Sequence, residues 1–317
     1  MLSGEQIGQL MDRIREQFAM AQDAEITMEV NPGTASAEKL RNFYTAGINR
    51  LSIGMQSAQA EELKNLGRIH DFEGFCQVYR EAVEAGFTNI NVDIMSGLPG
   101  QTLASYRDTL EKVLHLEPMP QHISAYSLIV EEGTPFAAMA ERGELPLPEE
   151  ETERAMYEET IEVLAKYGFH RYEISNYARD GYECRHNVGY CRDYLGFGIG
   201  AASLIDNVRF QNEKSLGTYL AHPLESREEE QTLTVQDRME ETMFLGLRLT
   251  RGVSCVDFAE QYGRTVEEVY GEVIARNVAD GLLTVTERKE NQKKDRFLAL
   301  TKRGLDLSNY VMAQFLF

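Results

Sequence analysis

The chain has no tryptophan and only four cysteines among its 317 residues. Thiols at Cys76, Cys184, Cys191 and Cys255 are too few to staple a chain of this length, which excludes a disulfide scaffold. The nearest two, Cys184 and Cys191, do not form the close pair of a zinc or redox motif. Basic residues are also scarce: 32 Lys and Arg stand against 51 Asp and Glu, a net charge of -19. A field of that sign repels phosphate backbones and anionic lipid surfaces, so it argues against a nucleic-acid partner. No apolar run approaches the ~20 residues that a membrane span requires, so no stable membrane insertion is expected. The longest run, Leu195 to Ile205, is interrupted by Gly196, Gly198 and Gly200. No basic start leads into an apolar segment, so no signal peptide is read, and a cytoplasmic protein with reduced thiols is the expectation.

What is present is ordinary globular material, 43% hydrophobic and 26% charged. The length suits roughly two domains of ~100–200 residues, or one large α/β unit with an appendage. Ile7, Leu10, Met11, Ile14 and Phe18 recur at helical spacing behind Ser3, a suitable N-cap. A strand-and-helix rhythm follows. Strands are read at Glu25–Val30, Arg50–Ser57, Asn89–Met95, His122–Val130 and Tyr172–Ser175. Helices are read between them, at about Phe72–Ala85, Leu103–Leu116 and Glu149–Tyr167, with glycines such as Gly47, Gly86 and Gly168 at their ends. This alternation predicts parallel strands with helical crossovers, in a barrel or an open doubly wound sheet. In both, reactive groups sit at the C-terminal ends of the strands. Glu29, Gln56 and Asp93 occupy such places. Any one of them alone reads as a turn cap or a solvent-facing residue; three at corresponding places point toward a shared site.

From Asn176 to Tyr219 the rhythm breaks. The run Gly196-Phe197-Gly198-Ile199-Gly200 lacks the spacing, the following acid and the Gly-Lys-Ser/Thr ending of nucleotide loops. It reads instead as a tight glycine-lined turn packed against something flat. Glu225 to Gln231 is acidic and reads as a solvated linker or helix start. Beyond it come helices at Arg238–Leu249, Val256–Tyr262 and Val266–Ala279. A hairpin follows, from Gly281–Val285 to Arg296–Leu300, and then a final helix from Lys302. Helices followed by a hairpin resemble a winged helix, for which the charge favours a packing or interaction role over DNA binding. The expected division is 1–175, 176–224 and 225–317.

The strings EVNPGT, INRLSIGMQS, LKNLGRIHD, NVDIMSGLPGQT, HISAYSLIVEEGTP, YEISNYA and HNVGYC occur in this order, followed by LGLRL with Gly252 and LTKRGLDLSN. As an ordered set covering essentially the whole chain, they resemble the HemW-type heme chaperones. Those are relatives of oxygen-independent coproporphyrinogen III oxidase in the radical SAM superfamily. The resemblance implies an α/β fold: a partial (β/α) barrel of radical SAM type, lacking its first strands, with a small helical, winged-helix-like C-terminal domain. It implies S-adenosylmethionine (SAM) and a [4Fe–4S] cluster as family cofactors, heme as ligand, and heme-acceptor proteins as partners. By the same resemblance Glu29, Gln56, Arg68 and Asp93 match the residues that contact SAM. Carboxylates suit ribose hydroxyls, and an arginine suits a carboxylate. HNVGYC resembles the heme-associated motif His-Asn-x-x-Tyr-Trp, with His186 as the iron ligand and Asn187 and Tyr190 framing it. Cys191 stands where that motif has tryptophan.

The family's Cys-x-x-x-Cys-x-x-Cys motif and its Gly-Gly-Gly-Thr-Pro loop are not found in these 317 residues. The expectation is therefore an N-terminally shortened chain, incapable of radical SAM chemistry, with an unpaired sheet edge and an uncovered first helix. Three functions are weighed: a heme chaperone, a coproporphyrinogen oxidase-like enzyme, and a cluster-free binding module.

Overall fold

The structure, a computed structural model, describes residues 2–189, 192–223, 225, 227–290 and 293–316, leaving aside the side chains of 289, 290 and 293. The chain forms two compact units. One comprises Met1–Arg171 with Ser175–Glu183, and the other Tyr172–Ile174 with Cys184–Phe317.

The first unit runs α1 (Gly4–Gln17), β1 (Thr27–Val30), α2 (Ala37–Thr45), β2 (Arg50–Gln56), α3 (Ala60–Asn65), α4 (Phe72–Ala85), β3 (Ile90–Ser96), α5 (Leu103–Leu114), β4 (His122–Ser127), α6 (Pro135–Glu141) and α7 (Glu150–Lys166). β5 (His170–Glu173) and β6 (Asn176–Ala178) complete the sheet, whose order is β1-β2-β3-β4-β6-β5. β1 to β4 pair in parallel, as their alternation with helices predicts. β6 returns antiparallel to β4, which the sequence reading did not anticipate. Three residues are too few to show a period, and β6 follows β5 after a two-residue turn rather than a helix.

Local chemistry explains the helices. Ser3 closes a capping box with Gln6, Asp71 accepts from the Gly74 N–H, and Thr102 closes a box with Ser105. Gly86 ends α4 in the left-handed region, at φ 111°. The first helix is not uncovered: Ile7 and Met11 are buried in the same core as Leu40 and Phe43 of α2.

The sheet has two unlike faces, because side chains alternate along a strand. Leu51, Ile53, Val92, Ile94 and Ile123 point to the helix side and are fully buried or nearly so, against Phe75, Tyr106 and Leu110 among others. The opposite face carries Glu29, Ser52, Asn91 and His122 in one register row. Gly54, Asp93, Ser124 and Asn176 make the next row. An apolar outer face under helices and a polar inner face are the arrangement of a partial β/α barrel.

The second unit runs α8 (Arg185–Val188), β7 (Ala202–Ile205), β8 (Val208–Asn212), α9 (Leu216–Ala221), β9 (Arg227–Thr232), α10 (Val235–Gly246), β10 (Val253–Ser254), α11 (Cys255–Tyr262), α12 (Val266–Ala279), β11 (Leu283–Glu290), β12 (Lys293–Leu300), α13 (Lys302–Asp306) and α14 (Ser308–Ala313). It holds two three-stranded antiparallel sheets, β7-β8-β9 and β10-β12-β11. Met243, Phe258, Tyr270, Leu298 and Phe315 lie in its main core. The acidic stretch read as a linker is the edge strand β9. Backbone pairing to β8 holds it, with the Arg227 guanidinium 4.0 Å over the Phe210 ring. Charged side chains on an edge strand block further pairing, so the composition that suggested a linker is also that of a protected edge. The final helix is two short ones, broken at Leu307 (φ -113°, ψ 28°).

Candidate functional site

The four residues expected around SAM converge in the first unit. Glu29 is exposed at the β1 end of the first row, and Asp93 sits one row higher on β3, partly buried. Ser52 and Asn91 both donate to Asp93: Ser52 Oγ at 3.1 Å to Oδ2, and Asn91 Nδ2 at 2.6 Å to Oδ1. Asn91 Oδ1 in turn accepts from His122 Nδ1 at 2.6 Å and Ser124 Oγ at 3.2 Å. Burial pushes the Asp93 carboxyl above the ordinary carboxylate range. Hydrogen bonds from Asn91, Ser52 and Ser124 oppose that shift, while the Glu29 charge adds to it. The same burial holds His122 well below the usual imidazole range, and the Arg50 guanidinium pushes it the same way.

Gln56 is the strained member. Its backbone lies in the left-handed region at φ 68°, and the Ser57 N–H donates to the Met55 carbonyl at 2.9 Å across it. A three-residue turn with positive φ at a non-glycine centre is rare and costs energy. Three features hold it. Gly54 leaves room for the Gln56 amide: a Cβ there would stand 2.8 Å from Gln56 Nε2. The buried His70 presents Nε2 to the Met55 carbonyl at 3.3 Å, so that nitrogen carries the proton, since a carbonyl only accepts. Burial lowers the His70 pKa, and among the described residues its buried Nδ1 has no hydrogen-bond partner. Ser57 Oγ donates to the buried Glu62 at 2.6 Å. Glu62 also accepts from Gln101 Nε2 at 3.0 Å and Ser105 Oγ at 2.6 Å. One carboxylate thus ties the loop after β2 to the loop after β3 and the first turn of α5.

Tyr126 joins the set. Its hydroxyl donates to Gln56 Oε1 at 3.0 Å. Burial pushes its phenol up to about 12, the Asp93 and Glu29 carboxylates push the same way, and the Gln56 bond and the Arg68 charge oppose them. Glu29, Gln56, Arg68 and Asp93 therefore all act on one phenol, Gln56 through a hydrogen bond and the other three through their charge. Beside Glu29 a cavity of about 230 Å³ opens, lined in part by Ile7, Met28, Val30, Lys39 and Phe43. Tyr126, Ser52, Asn91, Ser124 and Glu62 were not singled out from the sequence. For the strand residues the signal is a polar residue at every second position: Arg50 and Ser52; Asn91 and Asp93; His122, Ser124 and Tyr126.

In the second unit His186 is exposed on the single-turn helix α8. Asn187 Nδ2 donates to the Tyr172 hydroxyl at 3.1 Å, and the Cys184 N–H donates to the same oxygen at 3.3 Å. The nearly buried Tyr172 thereby fixes the start of the HNVGYC segment. Tyr190 and Cys191 lie outside the described residues. Among the described residues, no three His, Cys, Asp or Glu side chains are grouped to hold a metal ion. No helix of the described residues is long and apolar enough to cross a membrane.

Comparison with known proteins agrees with this architecture. Residues 3–113 match the radical SAM superfamily model, and residues 233–307 match the HemN C-terminal domain. The solved coproporphyrinogen III oxidase (HemN) from Escherichia coli, described as a radical SAM enzyme, superposes with a TM-score of 0.80. It is 25% identical, over 99% of this chain and 75% of that one. The polar inner face with its strained Gln56 and the appended C-terminal domain thus define a radical SAM protein of the HemN type. Among curated relatives, heme chaperone HemW of Bacillus subtilis is 38% identical over 99% of this chain and 82% of its own length. Heme chaperone HemW of Escherichia coli K12 is 35% identical over 90% and 75%. The chain belongs to the HemW family of heme chaperones.

Proposed function

We propose that this protein binds heme and delivers it to acceptor proteins in the cytoplasm, with His186 as iron ligand and Asn187 and Tyr190 framing the site. The observation that carries the reading is 35–38% identity to heme chaperones over 90% or more of the chain. The exposed imidazole of His186 on a short helix anchored by Tyr172 supports it, since imidazole is a common axial donor to heme iron. Hemin titration of the purified chain tests it. A Soret shift lost in His186→Ala is the expected result, and an unchanged shift removes His186 from the role.

Glu29, Gln56, Arg68 and Asp93 are assigned to SAM. The fit rests on the partly buried Asp93 carboxylate, an acceptor for ribose hydroxyls, and on the strained Gln56, whose partner Tyr126 also feels the charges of Arg68 and Glu29. In radical SAM proteins, bound SAM and its cluster supply a 5′-deoxyadenosyl radical. The thiols of these 317 residues do not fit the cluster, because Cys76, Cys184, Cys191 and Cys255 nowhere form Cys-x-x-x-Cys-x-x-Cys. These residues alone are therefore inferred to be incapable of radical chemistry. Anaerobic reconstitution that yields a SAM-responsive [4Fe–4S] signal overturns that inference.

A second reading, a coproporphyrinogen oxidase-like enzyme, is favoured by the structural likeness to HemN. Turnover of coproporphyrinogen III by a cluster-bearing form would establish it and displace the chaperone reading.

A further inference from the structure

The hydrogen bonds on the polar inner face run one way, from His122 to Asp93. Asn91 of β3 stands between them, 2% exposed, and His122 of β4 is fully buried. Register sets Asn91 beside Ser52 of β2 on one side and beside His122 on the other. The Asp93 carboxylate only accepts, so the end of the Asn91 amide that faces it is the NH₂. Both protons of that NH₂ are committed: Nδ2 donates to Asp93 Oδ1 at 2.6 Å and to Ser52 Oγ at 2.8 Å. Ser52 Oγ passes its own proton to Asp93 Oδ2 at 3.1 Å. Asn91 therefore holds both carboxylate oxygens, one directly and one through Ser52.

That orientation depends on what meets the other end of the amide. Two donors stand within reach of Asn91 Oδ1: His122 Nδ1 at 2.6 Å and Ser124 Oγ at 3.2 Å. The hydroxyl has one proton, and Asn176 Oδ1 competes for it at the shorter distance of 2.9 Å. The imidazole gives Asn91 the shorter bond. Burial and the Arg50 guanidinium keep that imidazole neutral, so it carries a single proton. Facing a carbonyl oxygen, Nδ1 is the nitrogen that bears it. Turned over, the amide would set its oxygen against the Asp93 carboxylate and its NH₂ against the imidazole N–H, so the two ends enforce each other. We propose that His122 is a positioning residue of the nucleoside site: by donating to Asn91 it keeps the amide from turning over, and so holds both Asp93 oxygens in place to accept ribose hydroxyls. The inference rests on the assignment of Asp93 to SAM.

Nitrogen-15 NMR of the parent chain reads the His122 tautomer without any substitution. A proton on Nδ1 is expected, and a proton on Nε2 overturns the inference. Two variants then separate donation from packing. His122→Phe keeps a ring but has no donor, whereas His122→Asn sets an amide Nδ2 near the place of Nδ1. S-adenosylhomocysteine is the probe, titrated calorimetrically into the full chain. Its affinity should fall about three- to tenfold in His122→Phe, the equivalent of one hydrogen bond, and recover in His122→Asn. A residue that only packs would rank the two variants the other way. The Asp93 carboxyl, followed by carbon-13 NMR, should titrate higher in His122→Phe, because the Asn91 bond that opposes its upward shift is weakened. In His122→Asn it should return toward the parent. If the parent binds S-adenosylhomocysteine and His122→Phe binds it equally well with the Asp93 titration unmoved, His122 does not position Asp93, while the SAM reading stands. If the parent does not bind S-adenosylhomocysteine, the SAM reading fails and this inference with it.

Discussion

The Tyr126 hydroxyl on β4 donates to Gln56 Oε1 at the end of β2, at 3.0 Å. The amide would otherwise be free to rotate over Gly54, so this bond sets its orientation. The oxygen is engaged, and the NH₂ is left to meet a ligand acceptor.

Tyr126→Phe removes that bond and little else. The expected cost is about 1 kcal/mol of stability, read by urea unfolding. The side-chain amide signal of Gln56 in nitrogen-15 NMR should broaden or shift. An unchanged signal would mean that Gly54 and the turn alone orient it. The phenol also has a pH signature. Its folded pKa, about 12, lies above the ordinary 10, so the stability it contributes is complete below pH 10 and is lost as pH rises from 10 through 12. The variant should lack that part of the alkaline loss.

Asp93→Asn should raise stability at neutral pH. The Asp93 pKa is raised in the folded state, chiefly by burial, so its ionised form is disfavoured there. Its penalty appears above the unfolded carboxylate pKa and is complete once pH exceeds the folded one. The isosteric amide avoids the penalty, and Ser52 and Asn91 still have an oxygen to bond. A melting temperature that rises at pH 7 while SAM affinity falls would mark a residue kept for binding at the expense of stability. A fall in both would make it structural.

His122 governs acid lability. Burial keeps it neutral in the fold, with its pKa far below 6.5, while the unfolded imidazole takes up a proton near 6.5. Stability should therefore decline as pH falls below 6.5, at up to about 1.4 kcal/mol per pH unit for this one proton. Comparing His122→Gln with the parent between pH 4 and 7 isolates it. The variant's stability should depend less steeply on pH, and equal slopes would remove His122 as the cause.

Much of this was legible in the residues. The helix at Phe72–Ala85 is delimited by Asp71 and Gly86, an N-cap and a left-handed C-cap, so composition and structure agree at both ends. Glu29, Gln56 and Asp93 announced themselves as polar residues closing apolar strands. The rest needed register. Ser52 and Asn91 matter because pairing sets them opposite one another, and no single-strand pattern contains that. The left-handed backbone of Gln56 is invisible in the string Gly-Met-Gln-Ser, where glycine is the residue that would suggest positive φ. β9 was missed because the pattern sought was apolar alternation, and an edge strand held by its backbone need not show one.

Glu62 is a buried carboxylate satisfied by neutral donors, Ser57, Gln101 and Ser105. Glu62→Ala takes the acceptor from Ser57 Oγ, while Gln101 Nε2 keeps the Met95 carbonyl and Ser105 Oγ the Thr102 carbonyl, and it should cost about 1–3 kcal/mol. Glu62→Gln keeps the shape but brings a donor against donors, and should recover only part of that. Urea unfolding checks both. Costs below about 1 kcal/mol would show that water replaces the carboxylate and that the two loops do not depend on it.

Gly54→Ala separates the strained turn from the amide it serves. The added methyl would meet the far end of a flexible side chain, Gln56 Nε2 at 2.8 Å, and not the backbone. Rotating that amide away relieves the clash, so the fold should lose only about 1 kcal/mol or less. The displaced amide must then give up its bond to the Tyr126 hydroxyl. The Gln56 side-chain amide and Tyr126 ring signals should therefore both shift in Gly54→Ala while Ser57 and Glu62 stay in contact. A large stability loss instead would mean that the amide cannot move, and that glycine at 54 serves the strand rather than the site.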